Sequence, residues 1–157
     1  MQTVDLQQLT EFLEHANKHT YANAAAKKAQ SLRPSSEDYH FEEGDFVYHD
    51  TYFGARDFIG EEVVYFKGKP VWAANYYGFI FDESAETKQV YNFLRDALMQ
   101  EAHPLVPVRG PSSYARGDWS YDFTTTGSDL SRFSGEEEIA HDSKTVYRCF
   151  VHGGLIR

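Results

Sequence analysis

The chain of 157 residues contains a single cysteine, Cys149. This scarcity excludes an internal disulfide and a zinc site built from several cysteines. The chain also lacks any run of about 18 apolar residues, the length that a membrane-spanning helix requires. No charged segment followed by an apolar core opens it either. We therefore expect a protein of the reducing cytoplasm, neither secreted by a classical signal nor inserted in a membrane.

Positive charge is also in short supply. Lys and Arg number 15 against 24 Asp and Glu, which gives a formal net charge of −9 at pH 7. Because neutralising a phosphate backbone requires clustered Lys and Arg, this balance opposes direct nucleic-acid binding. The partners that fit are a small organic molecule, cationic or neutral, and a second copy of the chain in a homodimer.

Recognisable catalytic motifs are missing as well. The sequence has no nucleophile elbow, phosphate-binding loop or paired metal motif. His15 and His19 are four residues apart on a predicted helix, but no third metal ligand accompanies them at a recognised spacing. The sequence therefore predicts no metal site and no cofactor, and it assigns no catalytic residue.

Aromatic residues, by contrast, are abundant. The 12 Phe, 11 Tyr and 2 Trp make up 16% of the chain, enough to line a cavity as well as fill a core. The length suits one domain spanning residues 1–157 that needs no disulfide for stability.

Apolar residues at helical spacing predict two helices, at about 6–18 after the N-cap Asp5 and at about 87–100 after Ser84 or Thr87. Short runs of β-branched and aromatic residues predict six strands, at about 45–50, 60–66, 70–78, 118–124, 135–141 and 145–152. The segment 50–54 is predicted as an aromatic loop after the first strand, suited to form a lid.

The two strand regions also match residue by residue. Residues 44–48 align with 117–121, and residues 58–80 align with 133–155 with seven of 23 identical. The sequence therefore predicts an α+β fold made of two tandem copies of a helix-plus-three-strand unit, at about 5–81 and 84–157. Their strands would form a mainly antiparallel sheet or half-barrel with both helices packed on it.

Alternation along the predicted strands places one set of side chains on a common, more apolar face. Its aromatic members are Tyr48, Trp72, Tyr76, Trp119, Tyr121 and Tyr147, and its acids are Asp50, Glu62 and Glu137.

Acids on an aromatic face allow two interpretations. Either they line a pocket that suits a cationic or amine-bearing ligand, or they accept hydrogen bonds from Tyr hydroxyls and turn amides. Arg109, in a loop rich in Pro, Ser and Gly, would pair with one of the acids, bind a ligand anion or lie in water. The predicted ligand-binding set is Tyr48, Asp50, Tyr52, Glu62, Trp72, Tyr76, Arg109, Trp119, Tyr121, Glu137 and Tyr147.

Three classes of function remain open at this point. The leading one is a sensor-like domain that binds a small molecule between these aromatic walls. The second is a hydrolase-type enzyme that uses the same carboxylates as acid and base. The third is a protein-interaction module that docks a partner through exposed aromatics such as Tyr52, Phe53 and Tyr77.

Six segments carry a resemblance to a known family: 20–22, 50–54 after Tyr48, 58–62, 75–78 after Trp72, 109–111 and 152–154. They resemble a bacterial domain family of unknown function, whose members occur alone or fused behind helix-turn-helix domains of the XRE regulator type. The resemblance implies a sensing or partner-binding role associated with transcriptional regulation, although this chain lacks the DNA-binding part. The duplicated plan is also similar to gyrase-inhibitor-like effector-binding domains, which use an aromatic pocket with a glutamate.

Overall fold

The computed structural model describes residues 4–157, so residues 1–3 of the predicted domain lie outside it. Two helices and eight strands follow one another along the chain. In order they are α1 (Leu6–His19), β1 (Glu37–Glu43), β2 (Phe46–Gly54), β3 (Asp57–Phe66), β4 (Lys69–Ile80), α2 (Thr87–Leu98), β5 (Ser113–Arg116), β6 (Trp119–Asp129), β7 (Arg132–His141) and β8 (Lys144–Leu155).

Helix α1 begins where the sequence predicts. The Asp5 carboxylate accepts hydrogen bonds from the backbone amides of Gln7 at 2.8 Å and Gln8 at 3.1 Å, so it caps the helix. The apolar stripe faces inward, with Leu9, Phe12, Leu13 and Ala16 buried.

Helix α2 begins after Glu86, which makes no side-chain cap bond, rather than after Ser84 or Thr87. The Arg56 guanidinium binds the segment before the helix instead, donating to the carbonyl of Asp82 at 2.7 Å. With 14 residues in α1 and 12 in α2, residues 4–157 contain no helix able to cross a membrane.

The strands form one sheet in the order β1-β2-β3-β4-β8-β7-β6-β5, and every neighbouring pair is antiparallel. The predicted α+β class and mainly antiparallel sheet are confirmed. The strand count differs, because each helix is followed by four strands and not three. The two extra strands, β1 and β5, are the sheet edges. β1 has only two aromatic residues among its acids, Tyr39 and Phe41, and β5 has only four residues, so the apolar pattern of each is too short to predict a strand.

The prediction of a loop at residues 50–54 is wrong. This segment continues β2, where Asp50 pairs with Glu62 and Tyr52 pairs with Gly60 of β3. Aromatic and β-branched side chains favour the extended conformation, and the strand ends only at Gly54, whose φ is 98°.

Both helices contribute to the core on the inner face of the sheet. Phe12 of α1 stacks on Phe46 of β2 with ring centroids 4.9 Å apart. Tyr91 of α2 meets the Tyr147 ring of β8 edge-on at 6.0 Å. The two helices and the inner face therefore enclose one aromatic core.

The two halves of the sheet have matching geometry. The ten residues of β3 and the ten of β7 show the same sequence of exposed, half-buried and buried side chains. The register shifts after Val64 in β3 and after Ile139 in β7. Each residue of β3 therefore has a positional counterpart in β7.

The outer face carries exposed apolar side chains. Ile59, Tyr77 and Phe150 are cross-strand neighbours on β3, β4 and β8, and they expose 55%, 44% and 46% of their surface. Phe53 of β2 pairs with Ile59 of β3 and is half-buried.

We expect the irregularity in β6, where its register with β7 shifts between Thr126 and Asp129, to depend on glycine. Gly127 has φ 102°, and a Cβ there would lie 2.4 Å from the Arg132 carbonyl oxygen, whereas Gly117 has φ 63° and open space around it. Gly127→Ala should lower the free energy of unfolding by about 3 kcal/mol and Gly117→Ala by about 1 kcal/mol, measured by urea denaturation. Equal losses would contradict this account of the turn.

Candidate functional site

A cavity of ≈ 320 Å³ lies between the inner face of β1–β4, both helices and the loop that carries Arg109. Its deepest surface, the floor, is formed by side chains that expose at most 7% of their area. These floor residues are Tyr48, Asp50, Glu62, Tyr76 and Arg109.

Aromatic rings form the wall above the floor. Tyr21 and Tyr52 meet edge to face at 6.1 Å, and Phe58 meets Tyr91 in the same manner at 5.9 Å. The Arg95 guanidinium lies over the Tyr21 ring at 4.7 Å. The cavity therefore has π-surfaces on several sides.

The mouth is marked by the exposed lining residues. Gly54 is the last residue of β2, Ala55 follows it, and Lys28 belongs to the connection between α1 and β1. Lys28 forms an ion pair with Glu37 at 2.8 Å, and both side chains are about half exposed. The cavity thus runs from a polar mouth past aromatic walls to a buried, ionisable floor.

The backbone register brings two acids together on the floor. Asp50 of β2 and Glu62 of β3 are direct cross-strand partners, and both face inward. Side chains in that relation have Cβ atoms roughly 5 Å apart, and like charges there repel. The pair is therefore unfavourable while both groups are ionised and no cation is present.

Two of the four buried carboxyl groups in residues 4–157 are well satisfied. Asp38 accepts from the Ser36 hydroxyl and lies 2.8 Å from the His49 ring nitrogen Nε2. Glu137 accepts from Arg109 Nε at 3.0 Å and Arg109 Nη2 at 2.8 Å. The hydroxyls of Tyr121 at 2.6 Å and Tyr147 at 2.8 Å also donate to it.

The two floor acids have fewer partners. Asp50 accepts from the Tyr76 hydroxyl at 2.5 Å. Glu62 has one oxygen, Oε2, that is buried and without a hydrogen-bond partner among residues 4–157. Thr51 Oγ1 is the other such oxygen in this part of the chain, but Thr51 does not line the cavity. An unpaired buried carboxylate oxygen is costly, so Glu62 is the unsatisfied group of the site.

Burial dominates the acidity of both floor acids. The pKa of Asp50 is raised to about 7 and the pKa of Glu62 to about 8, with burial as the largest cause of each rise. For Glu62 the second cause of the rise is the negative charge of Asp50. Arg109 lowers both pKa values, as do the hydroxyls of Tyr76 for Asp50 and of Tyr48 for Glu62. The negative charge of Asp38 raises the pKa of Asp50, and the negative charge of Glu137 raises the pKa of Glu62.

The loop between α2 and β5 places Arg109 on the floor. Val106 and Val108 are buried, and Asn17 of α1 donates to the Pro107 carbonyl at 2.9 Å. The Gly110 amide donates to the Tyr121 hydroxyl at 2.9 Å. A Cβ at Gly110 would lie 2.9 Å from that hydroxyl oxygen, so the sequence Arg-Gly is required for this close approach.

The structure brings six of the eleven predicted site residues to the cavity. They are Tyr48, Asp50, Tyr52, Glu62, Tyr76 and Arg109. The other five do not line it, namely Trp72, Trp119, Tyr121, Glu137 and Tyr147.

These five residues have other contacts. Trp72 Nε1 donates to the Leu130 carbonyl at 3.0 Å, and Trp119 stacks on His141 at 4.0 Å. Tyr121 and Tyr147 donate to Glu137, which is fully buried behind Arg109. The sequence allows the acids either to accept hydrogen bonds from Tyr hydroxyls or to line a pocket. Glu137 does the first, and Glu62 lines the cavity.

Four wall residues lie outside the predicted set: Tyr21, Phe58, Tyr91 and Arg95. Tyr21 precedes the sheet and reaches the cavity only through the fold of the connection after α1. Tyr91 belongs to the predicted second helix, at about 87–100, but periodicity along a helix does not separate core positions from cavity positions. The segments 20–22 and 58–62 of the family resemblance contain two of the four.

Histidines contact other parts of the surface. Nδ1 of His15 pairs with Glu43 at 3.0 Å, and His19 stacks on Phe41. Asp118, His141 and Asp142 have ligand atoms within 4.8 Å of one another on the surface, where Asp118 already pairs with His141 at 3.1 Å.

The sequence matches a protein family over most of its length. A family model described as a domain of unknown function, DUF5680, matches residues 50–156. The chain belongs to the DUF5680 family. No curated protein matches it, and no solved structure matches it.

The DUF5680 match covers most of the floor but only part of the wall. It begins at Asp50 and contains Glu62, Tyr76 and Arg109, together with Glu137 behind them. It leaves out α1, β1 and the wall residue Tyr21.

We expect the Arg109–Glu137 pair to be essential for stability in this DUF5680 chain. Arg109→Met leaves a buried carboxylate without its cation and should lower the free energy of unfolding by about 3–5 kcal/mol in urea denaturation. Adding Glu137→Gln to that variant should recover part of the loss, because the uncompensated charge is gone. A loss below about 1 kcal/mol for Arg109→Met would refute the pairing.

The floor acids should also make stability depend on pH. Their pKa values are raised in the folded state, so the folded protein holds more protons than the unfolded chain between about pH 4 and 8. The free energy of unfolding should therefore fall as the pH rises through that range, by at most about 1.4 kcal/mol per pH unit for each proton released.

Replacing Glu62 with Gln should flatten this dependence, since the titrating group is removed. Glu61→Gln, on the outer face of the same strand, is the matched control and should keep the wild-type slope. Urea denaturation of the three proteins at several pH values measures the effect. Identical slopes in all three would show that Glu62 is not perturbed.

Proposed function

We propose that this domain binds a small organic molecule in the cavity, with a cationic or amine-bearing group of the ligand on the floor. The proposal rests on one observation above all. Glu62 Oε2 is buried, lies in the cavity and has no hydrogen-bond partner among the described residues. A ligand that donates to this oxygen would remove the cost of leaving it unpaired.

The charge of the floor favours a cation over an anion. Asp50 and Glu62 on the floor and Glu137 behind it contribute three carboxyl groups, whereas Arg109 contributes one guanidinium. Arg109 already pairs with Glu137 through two hydrogen bonds, so its charge is largely compensated there. A cation bound beside Glu62 would thus offset the remaining excess of acid.

The aromatic wall supports the same proposal. Tyr21, Tyr52 and Tyr91 present rings to the cavity, and such rings attract cations over their faces and pack against apolar ligand bodies. A sensing role fits this arrangement, because residues of α1, β1–β4 and α2 would surround a ligand in the cavity. Sensing in a bacterial cytoplasm, alone or beside a helix-turn-helix domain, is the context that the family resemblance implies.

A thermal-shift screen of amines, carboxylic acids and neutral amides tests the proposal. We expect amines to raise the melting temperature, by several degrees for a ligand at 100 times its dissociation constant, which stabilises by about 2.7 kcal/mol. Glu62→Gln should lose the shift, and the outer-face control Glu61→Gln should keep it. The proposal fails if no compound of any class stabilises the wild-type protein, or if the Glu62→Gln shifts equal those of the wild type.

One observation favours an enzyme as the second candidate. Asp50 and Glu62 are cross-strand partners in one cavity, and two carboxyl groups can supply the acid and the base of a hydrolysis. Their raised pKa values keep a proton available near neutral pH. An identified ligand that is recovered with a cleaved bond after incubation, as seen by mass spectrometry, would favour the enzyme. Recovery of the unaltered ligand would favour the sensor.

We also infer that the two halves are tandem copies of one unit. The support is the identity of seven residues in 23 between 58–80 and 133–155 together with the matching register shifts of β3 and β7. On this view the copies have diverged at the floor, since Asp50 of the first half has Phe123 at its counterpart position.

A further inference from the structure

Glu62 and Glu137 occupy the same position in their respective halves. Glu62 lies between Asp50 and Ala74 in the sheet, and Glu137 lies between Phe123 and Cys149. Each follows the same pattern of buried and exposed neighbours along its strand. The protein therefore contains two buried glutamates with the same backbone setting.

The second half displays what a carboxylate in this setting binds. The Arg109 guanidinium makes two hydrogen bonds to Glu137, at 3.0 and 2.8 Å, one to each oxygen. This is the bidentate geometry in which a planar guanidinium and a carboxylate fit each other. Tyr121 and Tyr147 complete the shell with their hydroxyls.

The first half has the same setting without the guanidinium. Tyr48 is the counterpart of Tyr121, and Trp72 is the counterpart of Tyr147. Trp72 donates to the Leu130 carbonyl and leaves Glu62 one donor short. The cavity opens at Glu62, whose Oε2 has no partner among residues 4–157.

The surroundings of Glu62 suit a planar cation better than a compact one. Asp50 adds a second carboxyl group directly opposite Glu62. The N–H groups of one planar ligand head group can therefore donate to carboxyl oxygens on both β2 and β3. A guanidinium or amidinium is also more weakly hydrated than an ammonium, which lowers the cost of burying it. The resident guanidinium of Arg109 already lies 5.9 Å from the Tyr76 ring on the same floor.

We propose that the ligand of this cavity carries a guanidinium or amidinium group, which pairs with Glu62 as Arg109 pairs with Glu137. This inference rests on the proposed small-molecule function and specifies its ligand class. The ligand body extends from that head past the aromatic wall toward the mouth.

Three probes with the same ring separate charge from shape. Benzamidine, as its cation, is planar and charged, benzylamine as its cation is a compact point charge, and benzamide is planar and neutral. Isothermal titration calorimetry of the full chain at pH 7 and low salt measures each affinity. We expect benzamidinium to bind about tenfold or more tightly than either of the other two.

Variants locate the binding. Glu62→Gln should weaken benzamidinium binding about tenfold or more, Asp50→Asn should weaken it less, and Glu61→Gln should leave it unchanged. Asp50→Asn keeps the test informative if Glu62→Gln fails to fold. Full affinity in both floor variants would show binding elsewhere and overturn the inference.

Failure of this inference differs from failure of the proposed function. If benzylammonium or benzamide binds as tightly as benzamidinium, or if benzamidinium does not bind while other compounds stabilise the wild type through Glu62, the head group is wrong and the cavity remains a binding site. If no compound of any class binds, both proposals fail together.

Discussion

The buried ion pair between Arg109 and Glu137 is the interaction on which the site depends. It lies on the inner face of the second half of the sheet and holds the loop after α2, with Tyr121 bonded to both Glu137 and the Gly110 amide. Because this loop also supplies Arg109 to the floor of the cavity, the pair joins the two halves of the sheet. A buried charge that is paired and hydrogen-bonded in this way is tolerated, whereas a single unpaired one is costly.

That contrast explains why the two halves of a nearly symmetrical sheet differ in chemistry. Glu137 has an arginine and two tyrosine hydroxyls, and its surroundings are closed. Glu62 in the counterpart position has an acid opposite it and a cavity in front of it. The same backbone setting therefore gives a structural ion pair on one side and an unsatisfied carboxyl group that lines a cavity on the other.

Periodicity in the sequence was sufficient for both helices, six strands and the inward direction of Asp50, Glu62 and Glu137, because burial on one face imposes a regular pattern. It does not predict β1 and β5, since edge strands that are short or mostly polar carry too few apolar residues for a clear pattern. It also placed 50–54 in a loop, although β-forming side chains extend β2 through that segment. Which acid pairs with Arg109, and which faces a cavity, depends on contacts between distant segments that no local pattern encodes.

Glu62, unlike an acid in water, is held on a buried floor where its Oε2 has no hydrogen-bond partner among residues 4–157. Carbon-13 NMR of the labelled Glu side-chain carboxyl groups, titrated from acid to alkaline pH, reports this directly. We expect the Glu62 signal, assigned through Glu62→Gln, to titrate near pH 8, because burial and the Asp50 charge raise the pKa of Glu62. Titration of that signal near the usual glutamate value of about 4.3 would contradict it.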